Sequence, residues 1–386
     1  MSKNLIGAPL RAPPVRRRTL LASAALGAVS LAVPLARAQP ATGPLVAAFL
    51  YPSPIGDAGW SHRHEQGRLE MQRRLGGRVR SFAVEAVAEG PDSERVMRDA
   101  IRSQGARLVV AASFGYLEPA LRVAADHPEV RFEHAGGHKR APNLSTYDGR
   151  WYEARFLAGV LAGRTSRSGV AGYIAGFPVP EVVQGIDAFA IGMRSVDPAA
   201  TVRVLWLDAW FDPPKEAAAA RALVDAGADV LTHHSGSAAV AGAAQAAFRE
   251  GKGTRVVPYP SDMRTVAPDA QLACIVHRWG DRYTAVAERV LAGTWRSEAV
   301  WDGMASGRVA LEAVAADVPL GVRREIDERR RAIVEGSIVP FTGRIADNRG
   351  ADNRGDVRSP GGRMGDEAIR RLDWLVEGVV GSVPGR

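Results

Sequence analysis

From residue 44 onward, short apolar runs alternate with stretches of helical periodicity, and this alternation restricts the fold more than any other feature of the chain. PLVAAFLY (44–51), ARLVVAAS (106–113) and VRFEHAG (130–136) read as strands. ARLVVAAS is apolar almost throughout, as expected of a strand covered on both faces. DSERVMRDAIRSQG (92–105) and LEPALRVAADHP (117–128) have apolar residues three and four apart and read as helices. The pattern restarts with WYEARFLAGVLAGRTS (151–166), and GVAGYIAG, TVRVLWLDAW, ADVLTHHS and TRVVPYP supply further strands. Repeated βα units predict an α/β protein of two lobes, each a parallel sheet flanked by helices. A further strand and helix are expected in CIVHRWGDRYTAVAERVLAG (274–293), and a final amphipathic helix over 366–380. The predicted first lobe takes 39–147, 276–300 and 366–386. The second takes 148–275 and 301–345. The repeated Ala-Asp-Asn-Arg-Gly within 346–365 predicts a mobile surface loop.

The sequence pI near 10 would suggest a nucleic-acid partner. However, six of the formal +8 charges lie in residues 1–38, which contain no Asp or Glu. The rest is nearly balanced, so no nucleic acid is expected. Residues 1–38 read as an export signal: Arg16, Arg17 and Arg18, a short apolar segment, then Ala36-Arg37-Ala38. Cleavage is expected after Ala38 by a twin-arginine-like route, placing the protein in the periplasm. Gln39 rather than Cys follows the expected cleavage site, so no lipid anchor is expected there. Cys274 is the single cysteine, which leaves the core to hold the fold.

Ligands of open parallel sheets bind beyond the carboxyl ends of the strands. The residues there are Asp57 and Trp60, Ser113 and Phe114, Phe177 and Glu181, Trp210, Ser235 and Asp262. Aromatics with carboxylates suit a flat ligand: rings stack on its faces and acids accept from its edge. Lobe packing is the competing role for any one of these aromatics. No hydrolase elbow, phosphate loop or dinucleotide fingerprint occurs. The His62/His64 and His233/His234 pairs lack helical metal-ligand spacing, and neither metal nor cofactor is expected. Asp212 before Pro213-Pro214 reads as a helix cap.

PIGDAGWSHRHEQGR (54–68), FEHAGGHKRAPNLSTYDGRWYEARFLAGVLAG (132–163), GYIAGFPVPEVVQGIDAFAIGMRSVDP (172–198), VLWLDAWFDPPKE (204–216), YPSDM (259–263), WDGMASGRVAL (301–311) and WLVEGVVG (374–381) together carry a family likeness. The chain resembles the basic membrane protein family of ABC-transporter substrate-binding proteins. The resemblance implies a two-lobed binding fold and a purine nucleobase or nucleoside ligand between the lobes. Trp60 and Trp210 match the family's stacking aromatics, Asp57 its neighbouring acid and Asp262 the second Asp of a Tyr-Asp-Ser-Asp pattern. Pro260 stands at the first Asp, which favours a bare base over a nucleoside. The implied partners are the small-molecule ligand and an inner-membrane ABC permease, and the protein is expected to be a monomer and not an enzyme. Two other readings are an exported enzyme acting on a small heterocycle, with Asp57, His64 or Glu181 as acid or base, and a ligand sensor for a membrane receptor.

Overall fold

The computed structural model describes residues 43–349 and 357–385. The expected export signal and its cleavage site lie outside the described residues, as does 350–356 of the expected mobile loop. Among the described residues no helix is long and apolar enough to cross a membrane.

The first lobe begins with β1 (Leu45–Leu50), α1 (Trp60–Leu75), β2 (Val79–Val84) and α2 (Pro91–Gln104). It continues with β3 (Leu108–Ala111), α3 (Leu117–Asp126), β4 (Arg131–Ala135) and β5 (Leu144–Gly149). The chain then enters the second lobe through α4 (Trp151–Thr165), β6 (Val170–Ala175), α5 (Pro180–Arg194) and β7 (Thr201–Trp206). There follow α6 (Pro213–Asp225), β8 (Val230–His234), α7 (Ala239–Ala247) and β9 (Arg255–Val257). The remainder comprises β10 (Cys274–His277), α8 (Gly280–Leu291), β11 (Ala299–Asp302), β12 (Val309–Glu312) and α9 (Leu320–Val334). Last come β13 (Ile345–Ala346), β14 (Val357–Ser359), α10 (Asp366–Arg370) and β15 (Val379–Val380).

The first sheet has the order β11-β5-β4-β3-β1-β2 and the second β15-β7-β6-β8-β9. Every pairing in both is parallel. The strands are short and rich in Val, Leu and Ala because helices cover both faces; β3 is buried throughout. Capping follows the local chemistry. Asp212 accepts the Lys215 N–H at 3.0 Å ahead of the proline-led α6, as expected. Gly105 closes α2 in the left-handed region.

Three expectations change. First, the tail from 366 was placed in the first lobe, but β15 pairs with β7 of the second sheet. β11, which the expected boundary at 300 divides, pairs as a whole with β5 of the first sheet. β10 joins neither parallel sheet; it pairs antiparallel with β12. Second, the final amphipathic helix is only the five residues of α10. Ile369, Leu372, Leu375 and Val379 are all buried, but tertiary partners hold the backbone beyond α10. Asp187 accepts from Val376 N, Ala346 O from Glu377 N and Leu375 O from Asn348 N. Third, the described flanks of the 346–365 stretch are knit together. β13 pairs with β14, and Arg358 binds the buried Asp347 at 2.6 Å.

Candidate ligand-binding cleft

The carboxyl ends of both sheets face one cavity of about 450 Å3 including its open mouth. Pro52, Ser53, Trp60, Ser113 and Phe114 come from the loops after β1 and β3. Glu181, Trp210, His234, Ser235, Gly236 and Tyr259 come from the ends of β6 through β9 and the segments that follow them.

Five of the lining side chains are held from behind. Trp60 is the first residue of α1, and its Nε1 donates to Ala112 O at 2.7 Å. Its ring rests on His64, with centroids 4.5 Å apart, and meets Trp279 edge-on. Trp210 packs edge-on against Phe177 at 5.0 Å, and its carbonyl accepts the Gly236 N–H at 2.8 Å. Ser113 Oγ donates to Glu89 at 2.6 Å and Ser235 Oγ to the buried Glu216 at 2.8 Å. Ser53 Oγ pairs with Ser61 Oγ at 2.7 Å. The two lobes touch at the rim beside Trp60: Gly59 N donates to Ser261 Oγ at 3.0 Å. A Cβ on Gly59 would fall 2.0 Å from Gly236 O, so this closed contact needs a glycine there.

The electrostatics concentrate at Glu181 and its surroundings. Burial pushes the Glu181 carboxyl well above the usual carboxylate range, and the charge and hydrogen bond of Asp148 push the same way. Burial also pushes Asp148 up to about 6, against the pull of the Gly149 N–H at 2.7 Å. His234 Nε2 stands 3.7 Å from Glu181 Oε1. Burial, reinforced by the nearby Arg155 charge, drives the His234 ring well below its ordinary value, so it is neutral near pH 7. Arg155 is buried beneath the cavity, its guanidinium 4.1 Å from the Tyr259 ring centroid and bonded to Thr232 and His233 O. The Tyr259 hydroxyl and His234 Nδ1 have no partner in the protein. Buried polar atoms are normally satisfied, so these two atoms of cavity-lining residues are exceptions.

Of the nine expected site residues, Trp60, Ser113, Phe114, Glu181, Trp210 and Ser235 line this cavity. Phe177 instead lines an adjoining open groove, together with Phe114 and Trp210. Asp57 is exposed and Asp262 is turned away; neither lines the cavity. Asp262 is engaged by Arg264 at 2.5 Å and by Gln271 Nε2 at 2.9 Å. His234, Tyr259 and Asp148 were not among the expected site residues. His234 is the last residue of β8, the same strand-end signal that marked Ser235. His62 bonds Gly56 O at 3.0 Å in the loop, whereas His64 is buried and stacked on Trp279 at 4.6 Å. His64 therefore supports Trp60 from below. Among the described residues no group of three or more His, Cys, Asp or Glu is placed to hold a metal. Cys274 is buried in β10, and burial pushes its thiol up to about 12.

Comparison with known proteins agrees with this architecture. The chain is 41% identical over 336 residues to a purine-binding protein of Brucella abortus, covering 87% of this chain and 93% of that one. It is 34% identical over 338 residues to a Haloferax volcanii protein named for glucose binding in an ABC transporter, covering 88% and 81% of the two chains. An ABC-transporter solute-binding protein of Aeropyrum pernix superposes with a TM-score of 0.67 at 17% identity, over 80% of this chain and 95% of that one. With residues 45–348 matching the family model, the chain belongs to the PnrA-like ABC transporter substrate-binding proteins.

Proposed function

We propose that the protein captures a neutral purine-like base between Trp60 and Trp210 in the periplasm and hands it to an inner-membrane ABC permease. The observation that carries this reading is the polarity of the cavity wall. Ser113 and Ser235 have already donated their hydroxyl protons to Glu89 and Glu216. With Ser53 paired to Ser61, the remaining polar side chains of the wall are Glu181, His234 and Tyr259, gathered on the second lobe. Two indoles with one polar flank suit a flat heterocycle with a single hydrogen-bonding edge. A sugar carries hydroxyls around its whole rim and would need partners around the whole cavity. The printed name of the Brucella relative points the same way. Export through the leader with cleavage after Ala38, a monomeric state and the absence of catalysis belong to the same reading.

A thermal-shift panel of purine bases, nucleosides, sugars and amino acids tests it. A cognate base at about 100 times its Kd should add roughly 2.7 kcal/mol of stability. Stabilisation by glucose with no response to any purine would overturn the reading.

A further inference from the structure

The space between the lobes does not end with the cavity. Phe114 of the first lobe and Trp210 of the second, which line the cavity, also line an adjoining groove of about 500 Å3 including its open mouth. Phe177, Pro178 and Val179, in the turn from β6 into α5, and Glu89, between β2 and α2, complete the groove. The two spaces share an indole and a phenyl ring, so the groove continues the cavity. Phe177 meets the Trp210 indole edge-on at 5.0 Å. All five apolar residues of the groove are only partly buried. Apolar residues scattered singly over a surface need no explanation, but a contiguous apolar set beside a ligand cavity marks a recognition surface.

Glu89 is the one charged residue of the groove, and among the described residues no Lys or Arg lines it. Its Oε1 accepts from Ser113 Oγ at 2.6 Å and from Gly115 N at 2.9 Å, which ties the carboxylate to the segment that carries Phe114. Glu89 and Phe114 thus bound the groove from the first lobe, and Phe177, Pro178, Val179 and Trp210 bound it from the second.

We propose that this groove is a second subsite of the cleft, which takes an uncharged, apolar substituent carried by the purine-like base. The proposal rests on the reading of the cleft as a heterocycle site. A substituent leaving the cavity between Phe114 and Trp210 passes directly onto the Phe177 ring and the Pro178-Val179 turn. Each methylene that it removes from water is worth about fourfold in affinity. The rings favour an unsaturated or aromatic substituent, which packs edge-on or offset against them. A ribose fits poorly, because its hydroxyls would find Glu89 alone among apolar side chains. A phosphate or carboxylate would meet an acid with no cation to offset it. Because both lobes contribute, a filled groove also joins them.

Titration calorimetry of the full-length protein tests this with adenine and three benzyl derivatives, substituted on the exocyclic nitrogen, on C8 or on N9. One isomer should bind roughly tenfold tighter than adenine, since the open groove covers part of the added ring. The same isomer bearing a carboxylate on its phenyl ring should lose that gain, and adenosine should show none. In variants the readout is the ratio of the two affinities measured in one protein, so an effect on the base cavity cancels. Phe177→Ala should bring the ratio close to one, and Phe177→Leu should keep most of it. Adenine binding with no gain from any isomer would overturn the subsite and leave the base site standing, as would a full ratio in Phe177→Ala. A gain from adenosine equal to that of the benzyl isomer would overturn the apolar preference. Failure of adenine and of every derivative to bind would overturn both this proposal and the reading of the cleft.

Discussion

Trp60 and Trp210 are the residues on which binding should depend most. Both are partly exposed side chains packed onto the core with a face toward the cavity. Base stacking on an aromatic is worth about 1–3 kcal/mol. Trp60→Ala and Trp210→Ala should therefore each weaken purine binding roughly 5- to 150-fold by calorimetry. Asp262→Asn should leave affinity unchanged, because Arg264 and Gln271 already engage Asp262 off the cavity wall. If the Asp262 variant alone lost binding, the assignment of the wall would be wrong. Six cavity-wall residues were legible in the sequence because a parallel sheet sends its strand ends to one edge, and type then singles out aromatics and acids. Tyr259 was harder to see because β9 stops at Val257, earlier than its apolar run suggests. Asp148 read as a lobe boundary, since its chemistry exists only once α5 brings Glu181 against it.

At the scale of elements, α4 and α5 form the backbone-to-backbone contact on which the second lobe is built. A Cβ on Gly159 of α4 would fall 2.0 Å from Phe189 O, and one on Gly192 of α5 would fall 2.1 Å from Phe156 O. The two glycines are reciprocal: each makes room for the other helix's main chain. Adding a methyl group at a closed contact costs about 1–3 kcal/mol through forced backbone shifts. Gly159→Ala should lower unfolding free energy by that amount in urea titration, and a variant as stable as wild type would show that the contact relaxes freely. Both helices were plain from periodicity, but neither glycine announced its role, because close approach depends on the partner helix. The segment after α10 shows the converse. Its apolar spacing of three and four fits a helix, yet Asp187, Ala346 and Asn348 engage the backbone first, and Gly378 turns it at a φ of 90°. Hydrophobic spacing predicted which of its side chains are buried and missed the conformation that buries them.

At the scale of the whole molecule, the two lobes meet at the rim of the cavity as well as through the chain connections between them. The lobes are joined at the β5–α4 turn and through the β10–β12 ribbon, short connections of the kind that absorb hinge rotation. The closed rim is the contact of Gly59 with Gly236 and Ser261. Trp60 follows Gly59 directly, so the cavity-lining indole and the rim contact stand on consecutive residues. Gly59→Ala places a methyl group against Gly236 O in the closed state only. With φ at 94° and ψ at −168°, Gly59 lies in a region in practice reserved for glycine, and a side chain there adds strain of about 1–3 kcal/mol. The expected result is a loss of stability together with a loss of affinity, roughly 5- to 150-fold for about 1–3 kcal/mol of overpacking. Small-angle scattering supplies the second readout. Adenine should reduce the radius of gyration of wild type and leave that of Gly59→Ala near its unliganded value. Equal compaction of the two would mean that the base is held without the rim.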